Sequence, residues 1–194
     1  MKSIIGGIFL VLLLSGCSHK ISIAPSLNDI REVQVENKAD VNVGYYISDE
    51  AKKTATTTPG GGGDNITYTP YADLEGALNT MLSRKFKRVY AVKSLEDKAY
   101  IANKNIIYLF TTTIKTDSSS TNVLIWPPTD FTVELSCNAV NLDGAMVWSD
   151  TMSAKGHASA GELMKDFSLS AKRATETAFK EMLLKLEKTD KFNQ

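Results

Sequence analysis

The sequence offers little to several classes of function: it has two cysteines, two histidines, five prolines and no net charge. Its 22 Lys and Arg are matched by 22 Asp and Glu, so no basic excess exists to follow a phosphate backbone, and nucleic acid is not an expected partner. A metal centre needs converging His, Cys, Asp and Glu ligands, and His19 and His157 are far apart in the chain. No GxSxG, HExxH or Ser-Lys pattern stands out, and no nucleophile has a base at a readable spacing. No catalytic residue, metal or cofactor is therefore expected. The longest apolar run, residues 4–14, is too short to cross a hydrocarbon core of ~30 Å. What is present is ordinary for a globular domain: 194 residues, 43% hydrophobic, 8% aromatic and 23% charged, enough for one domain with a sizeable core.

The first seventeen residues carry an address. Met1-Lys2-Ser3 is a short n-region with one positive charge, and residues 4–14 have the length of a signal-peptide h-region, to be set aside in fold reasoning. Leu14-Ser15-Gly16-Cys17 then resembles the lipobox of bacterial lipoproteins: an aliphatic residue, two small residues and a cysteine. The resemblance implies that the Cys17 thiol takes a diacylglycerol, that the chain is cut before it, and that the new amine is acylated. Several acyl chains on one residue anchor stably where a single chain does not. The competing reading is a buried thiol at the end of an uncleaved helix. Ser18 follows the cysteine in place of an inner-membrane-retention aspartate, which implies the outer membrane, facing the periplasm. Cleavage removes only Lys2 among the charges, leaving 21 basic and 22 acidic residues. The remaining cysteines are Cys17, lipidated, and Cys137, so no intramolecular disulfide can form.

Residues 17–40 are polar with scattered apolar positions and read as a tether, with short strand pieces near 21–23 and 33–35. Residues 41–48 alternate as a half-buried strand. A loop over 49–65 includes the tract Gly60-Gly61-Gly62-Gly63-Asp64, read as flexible because glycine loses much freedom on folding. A short strand fits 66–69. Thr69 and Pro70 then give a helix start, and Leu74, Leu78, Met81, Leu82 and Phe86 form the stripe of a helix over 70–86. Strands follow at 88–92 and 105–115, with a short helix or loop at 95–103 between them. Residues 131–141 and 145–153 alternate about the turn Leu142-Asp143-Gly144. A last helix begins near Asp166 and Ser168 and carries Ala171, Ala174, Ala178, Phe179, Met182, Leu183 and Leu186, ending in a charged tail over 187–194. The expected architecture is α+β: a single domain over 41–189, with a mostly antiparallel sheet and two amphipathic helices packed on one face.

Cys137 falls on the apolar face of a strand and reads as a core thiol. Ile125, Trp126, Pro127 and Pro128 form an apolar tip that the prolines keep out of the ladder. Unless that tip folds back over a sheet end, it presents Ile125 and Trp126 as a partner-binding surface. Tyr45, Tyr46, Tyr68 and Tyr71 could make a sugar-stacking face, and Asp49, Glu50 and Asp64 are loose candidates for paired carboxylates. The layout of lipobox, tether, PYADLEGALNTMLSRKF helix, D-G hairpin and Ala-rich final helix resembles small periplasmic lipoproteins. These include the YajG-like outer-membrane group, the lipopolysaccharide-assembly lipoprotein and the auxiliary lipoproteins of envelope ABC transporters. The resemblance implies a non-catalytic accessory protein, held to the membrane by its lipid, that docks onto an envelope transport, secretion or surface-structure complex. The alternative is a peptidoglycan- or sugar-binding lipoprotein or hydrolase.

Overall fold

The computed structural model describes residues 17–120 and 126–192. Residues 1–16, which include the lipobox-like segment up to Gly16, and Ile125 lie outside the described residues. The elements are β1 (Ser18–Lys20), α1 (Leu27–Arg31), β2 (Ala39–Tyr46), α2 (Asp49–Lys53), β3 (Thr56–Gly61), β4 (Asp64–Tyr68), α3 (Pro70–Lys85) and β5 (Phe86–Val92). There follow α4 (Lys98–Asn103), β6 (Ile106–Ser119), β7 (Asp130–Asn141), β8 (Met146–His157), α5 (Ala160–Leu163) and α6 (Leu169–Lys188).

The fold is α+β. Alternation makes β7 the centre of the core: Phe131, Val133, Leu135, Cys137 and Ala139 are all fully buried, while the residues between them are half-buried. β6, β7 and β8 form an antiparallel meander, and its register places Leu142-Asp143-Gly144 in the turn between β7 and β8. β2 and β5 extend this sheet in the order β5-β2-β6-β7-β8, with β2 parallel to both neighbours. The parallel pairings require crossovers, which α3 and α4 supply. Leu74, Leu78, Met81 and Leu82 of α3 and Ala171, Ala174, Ala178, Phe179, Met182 and Leu183 of α6 cover one face. Thr69 and Ser168 stand at the two helix N-caps, but neither side chain makes a cap hydrogen bond.

Three segments differ from the sequence expectation. The stretch 17–40 is not a free tether. Ile23 is fully buried, its N–H donating to Asp73 of α3 (3.0 Å) and its carbonyl accepting from Thr175 of α6 (2.8 Å), and Ile30 of α1 is fully buried too. Two isoleucines withdrawn from water contribute about 1.5–3 kcal/mol each, which fastens the strap despite its polar composition. The glycine tract is not a flexible loop either. β3 and β4 pair across Gly62-Gly63, both at positive φ (63° and 83°), as a tight two-residue hairpin turn demands. β1 adds in parallel to make a second, three-stranded sheet. Nor is the C-terminus a simple charged tail. Residues 190–192 form a 3-10 turn that drives Phe192 among Phe86, Tyr108, Phe110 and Trp148, with ring centroids 5.1 to 6.2 Å away.

β6 has 14 residues and so runs roughly 45 Å, which gives the domain two ends. At the Ser119 end, Ser118 donates to Thr58 and to the Pro59 carbonyl (both 2.6 Å), and Tyr68 donates to Thr116 (2.7 Å), docking the small sheet there. At the Ile106 end lie the β7–β8 turn, α4 and the Phe192 cluster.

Candidate functional site

Cys17, singled out by the lipobox-like Leu14-Ser15-Gly16-Cys17, sits at the Ser119 end, held by the hairpin. The Cys17 N–H donates to Asp64 Oδ1 (3.2 Å), and the Asn65 N–H donates to the Cys17 carbonyl (3.0 Å). Two residues further along, His19 Nε2 lies 3.1 Å from Asp64 Oδ2. One carboxylate therefore clasps both the first described residue and the imidazole after it. Cys17 remains exposed, with its thiol free to carry a modification.

The His19 ring packs on Trp126 (4.2 Å between centroids), and Trp126 packs on Phe167 (4.8 Å). A Cβ at Gly60 would come within 3.1 Å of the Trp126 ring, so the bare backbone of the hairpin forms the floor of this stack. Pro127 and Pro128 are buried, the Trp126–Pro127 bond is cis, and the Pro128 carbonyl accepts from Ser170 at the start of α6 (2.9 Å). Of the two forms open to this tip, Trp126, Pro127 and Pro128 take the one folded back on the domain. Burial of two proline rings and ring contacts to His19 and Phe167 hold these residues against the domain, and Ile125 is not among the described residues.

Charge around the corner is largely paired. Asp130 is buried. Burial alone would raise its pKa, but His157, Thr129 and Lys155 outweigh it and hold the carboxyl below its ordinary value. Glu162 is drawn down to about 2, first by Arg173 and then by the Ser159 backbone and hydroxyl in a capping box. Asp166 is lowered too, as Lys172 and Ser168 overcome the opposing effect of its burial. Beside these pairs two large apolar side chains face solvent in the α5–α6 turn: Met164 at 74% exposure and Phe167 at 44%.

The other candidates do not assemble into a centre. Cys137 is fully buried, and burial, aided by Asp150, pushes its thiol up to about 12, which leaves it an unreactive core group. Tyr45 and Tyr46 are successive strand residues on opposite faces of the sheet. Tyr45 is buried, its hydroxyl is raised to about 12 by burial and Glu75, and Tyr68 is fully buried. No common stacking face results. Asp49 and Glu50 begin α2, whereas Asp64 is committed to Cys17 and His19. Among the described residues no group of three or more His, Cys, Asp or Glu could hold a metal ion, and no helix is long and apolar enough to cross a membrane.

Sequence reasoning singled out Cys17 without the Asp64 carboxylate that the fold brings to it and to His19, and without the Phe167 ring at the end of the His19–Trp126 stack. Asp64 carried one legible signal, namely its place after glycines able to turn a hairpin. Nothing local marks the Trp126–Phe167 contact, which joins the β6–β7 connection to the α5–α6 turn.

No family model matches the chain, and no curated protein does. Among solved structures, it is similar to protein XCC0632 from Xanthomonas campestris, of family DUF330, at 13% identity and TM-score 0.46, covering 89% of this chain and 91% of that one. It is also similar to a PelC dodecamer subunit from Paraburkholderia phytofirmans at 17% identity and TM-score 0.38, covering 75% and 94%. A candidate lipoprotein from Caulobacter crescentus matches at 10% identity and TM-score 0.34, over 59% and 77%. Likenesses of this order carry no functional argument.

Proposed function

We propose that the protein is a lipoprotein anchored through a diacylglycerol and an N-acyl chain on Cys17 to the bacterial outer membrane, facing the periplasm. There it serves as a non-catalytic binding and assembly module of an envelope transport, secretion or surface-structure complex. The observation that carries the reading is the clasp on Cys17. A residue suited to bear lipid is exposed at its thiol while Asp64 and Asn65 hold its backbone. An N-acylated cysteine keeps one amide N–H, so acylation is compatible with the bond to Asp64. The clasp joins the anchor directly to a folded body with no slack between them, an arrangement suited to presenting a surface at a fixed height.

A crosslinked pull-down of the lipidated protein from native envelopes, beside a Cys17→Ala control, tests this. The expected result is a defined set of envelope proteins that is lost in the control. Recovery of murein fragments alone, or clearing of murein in a zymogram, would contradict it in favour of a peptidoglycan-active protein.

A further inference from the structure

We propose that the α5–α6 turn is a membrane wedge, with Met164 and Phe167 entering the headgroup and upper acyl region of the leaflet that holds the Cys17 lipid. The wedge rests on the lipid-anchor reading and adds to it an orientation and a second, non-covalent contact.

The geometry starts from where the anchor lies. Residues 1–16 lead to Cys17, and Cys17 is hydrogen-bonded to the hairpin rather than standing off on a linker. In an extended strand, two residues carry the chain about 7 Å from Cys17 to His19. From His19, two ring contacts of 4.2 and 4.8 Å reach Phe167. Phe167 therefore lies no more than about 20 Å from Cys17, at the same end of the body, so a bilayer receiving acyl chains at Cys17 faces the Phe167 corner when that end is seated on it. Met164, three residues earlier in the same turn, is the most exposed large apolar side chain among the described residues.

Three further features suit a lipid surface. Phe167 is backed by Trp126, which in turn lies on the Gly60 backbone, so the wedge is supported by the fold. The nearby carboxylates are occupied, Asp64 by Cys17 and His19, Glu162 by Arg173 and Asp166 by Lys172, which limits repulsion from anionic headgroups. Lys165, between Met164 and Asp166, is exposed and favours such a surface.

The test uses the full lipidated protein with Trp148→Phe, which leaves Trp126 as the single tryptophan of the two. It is bound to phosphatidylethanolamine/phosphatidylglycerol vesicles whose lipids are brominated near the headgroup end of the acyl chains. The expected result is quenching of Trp126 emission that falls by about half or more when Met164→Ser and Phe167→Ser are added, with flotation through Cys17 unchanged and the variant still folding cooperatively. Flotation with no difference between brominated and plain vesicles would overturn the wedge alone, leaving the corner to solvent or a protein partner. Failure of the lipidated protein to float would overturn the anchor reading and the wedge with it.

Discussion

The two ends of β6 hold together by different means. At the Ile106 end the stabilisation is burial: four aromatic rings close around Phe192, and Lys85, fully buried, is bonded to the Asn37 carbonyl and to Glu187. Glu187 also accepts the Glu36 and Asn37 N–H groups, so one carboxylate locks α3, α6 and the end of the strap. At the Cys17 end the contacts are hydroxyls, a small three-stranded sheet and half-exposed ion pairs. Exposed polar contacts of this kind open more readily than a packed core. The domain is thus a rigid body with a softer, chemically adjustable base.

Removing Glu187 should produce the largest effect. Glu187→Ala leaves the Lys85 ammonium buried without its counter-charge, which costs about 3–5 kcal/mol, and thermal unfolding should show a global loss. Gly156→Ala comes next. A Cβ there would lie 2.1 Å from the Ser170 carbonyl oxygen and 2.5 Å from the Ala174 nitrogen, so α6 must lift from β8, at about 3 kcal/mol. Trp126→Ala should cost about 2 kcal/mol, below the 3–5 typical of a fully buried ring because this one is only partly buried, and should raise amide exchange at the hairpin more than at the Phe192 cluster.

Acid should widen the contrast. Glu162, Asp130 and Asp166 all have pKa values depressed by their partners, so their stabilisation is present at neutral pH and is lost as pH falls through the folded-state values. For Glu162 that window runs from the ordinary 4.5 down to about 2. Trp126 fluorescence should change over that range before Trp148 does; simultaneous changes would show that the two ends are equally cooperative. The smallest effect belongs to the aliphatic face at the far end. There Leu95, Ile101, Leu109 and Leu142 line a groove of about 320 Å³. Leu142→Glu, at a site 58% exposed, should move stability by less than about 0.5 kcal/mol. Loss of envelope proteins from the pull-down in that variant would mark the far end as the partner's side.

The elements legible in the sequence were those whose burial follows a single period. The stripe through Leu74, Leu78 and Met81 and the alternation from Phe131 to Ala139 come from burying one face, and both are found where the pattern put them. What escaped depends on contacts between distant segments. Ile23 is buried in the core while Asp73 and Thr175 capture its backbone, and no periodicity announces that. The threonines and glycines of β3 look like a loop until β4 and Ser118 pair with them. At the candidate site, the resemblance of Leu14-Ser15-Gly16-Cys17 to a lipobox drew attention to Cys17, whereas Asp64 and Phe167 gain their meaning from where the chain returns in space.

The wedge requires that the folded body meet the membrane directly at Cys17, and the clasp that Asp64 and Asn65 make on Cys17 predicts that it does. Neutron reflectometry of the lipidated protein on a supported bilayer is the decisive test. A docked strap leaves no solvent gap, so protein density should begin at the headgroup layer. Were residues 18–40 a flexible linker of 23 residues, they would hold the domain off by about 25 Å, and a solvent layer of that thickness would contradict direct seating.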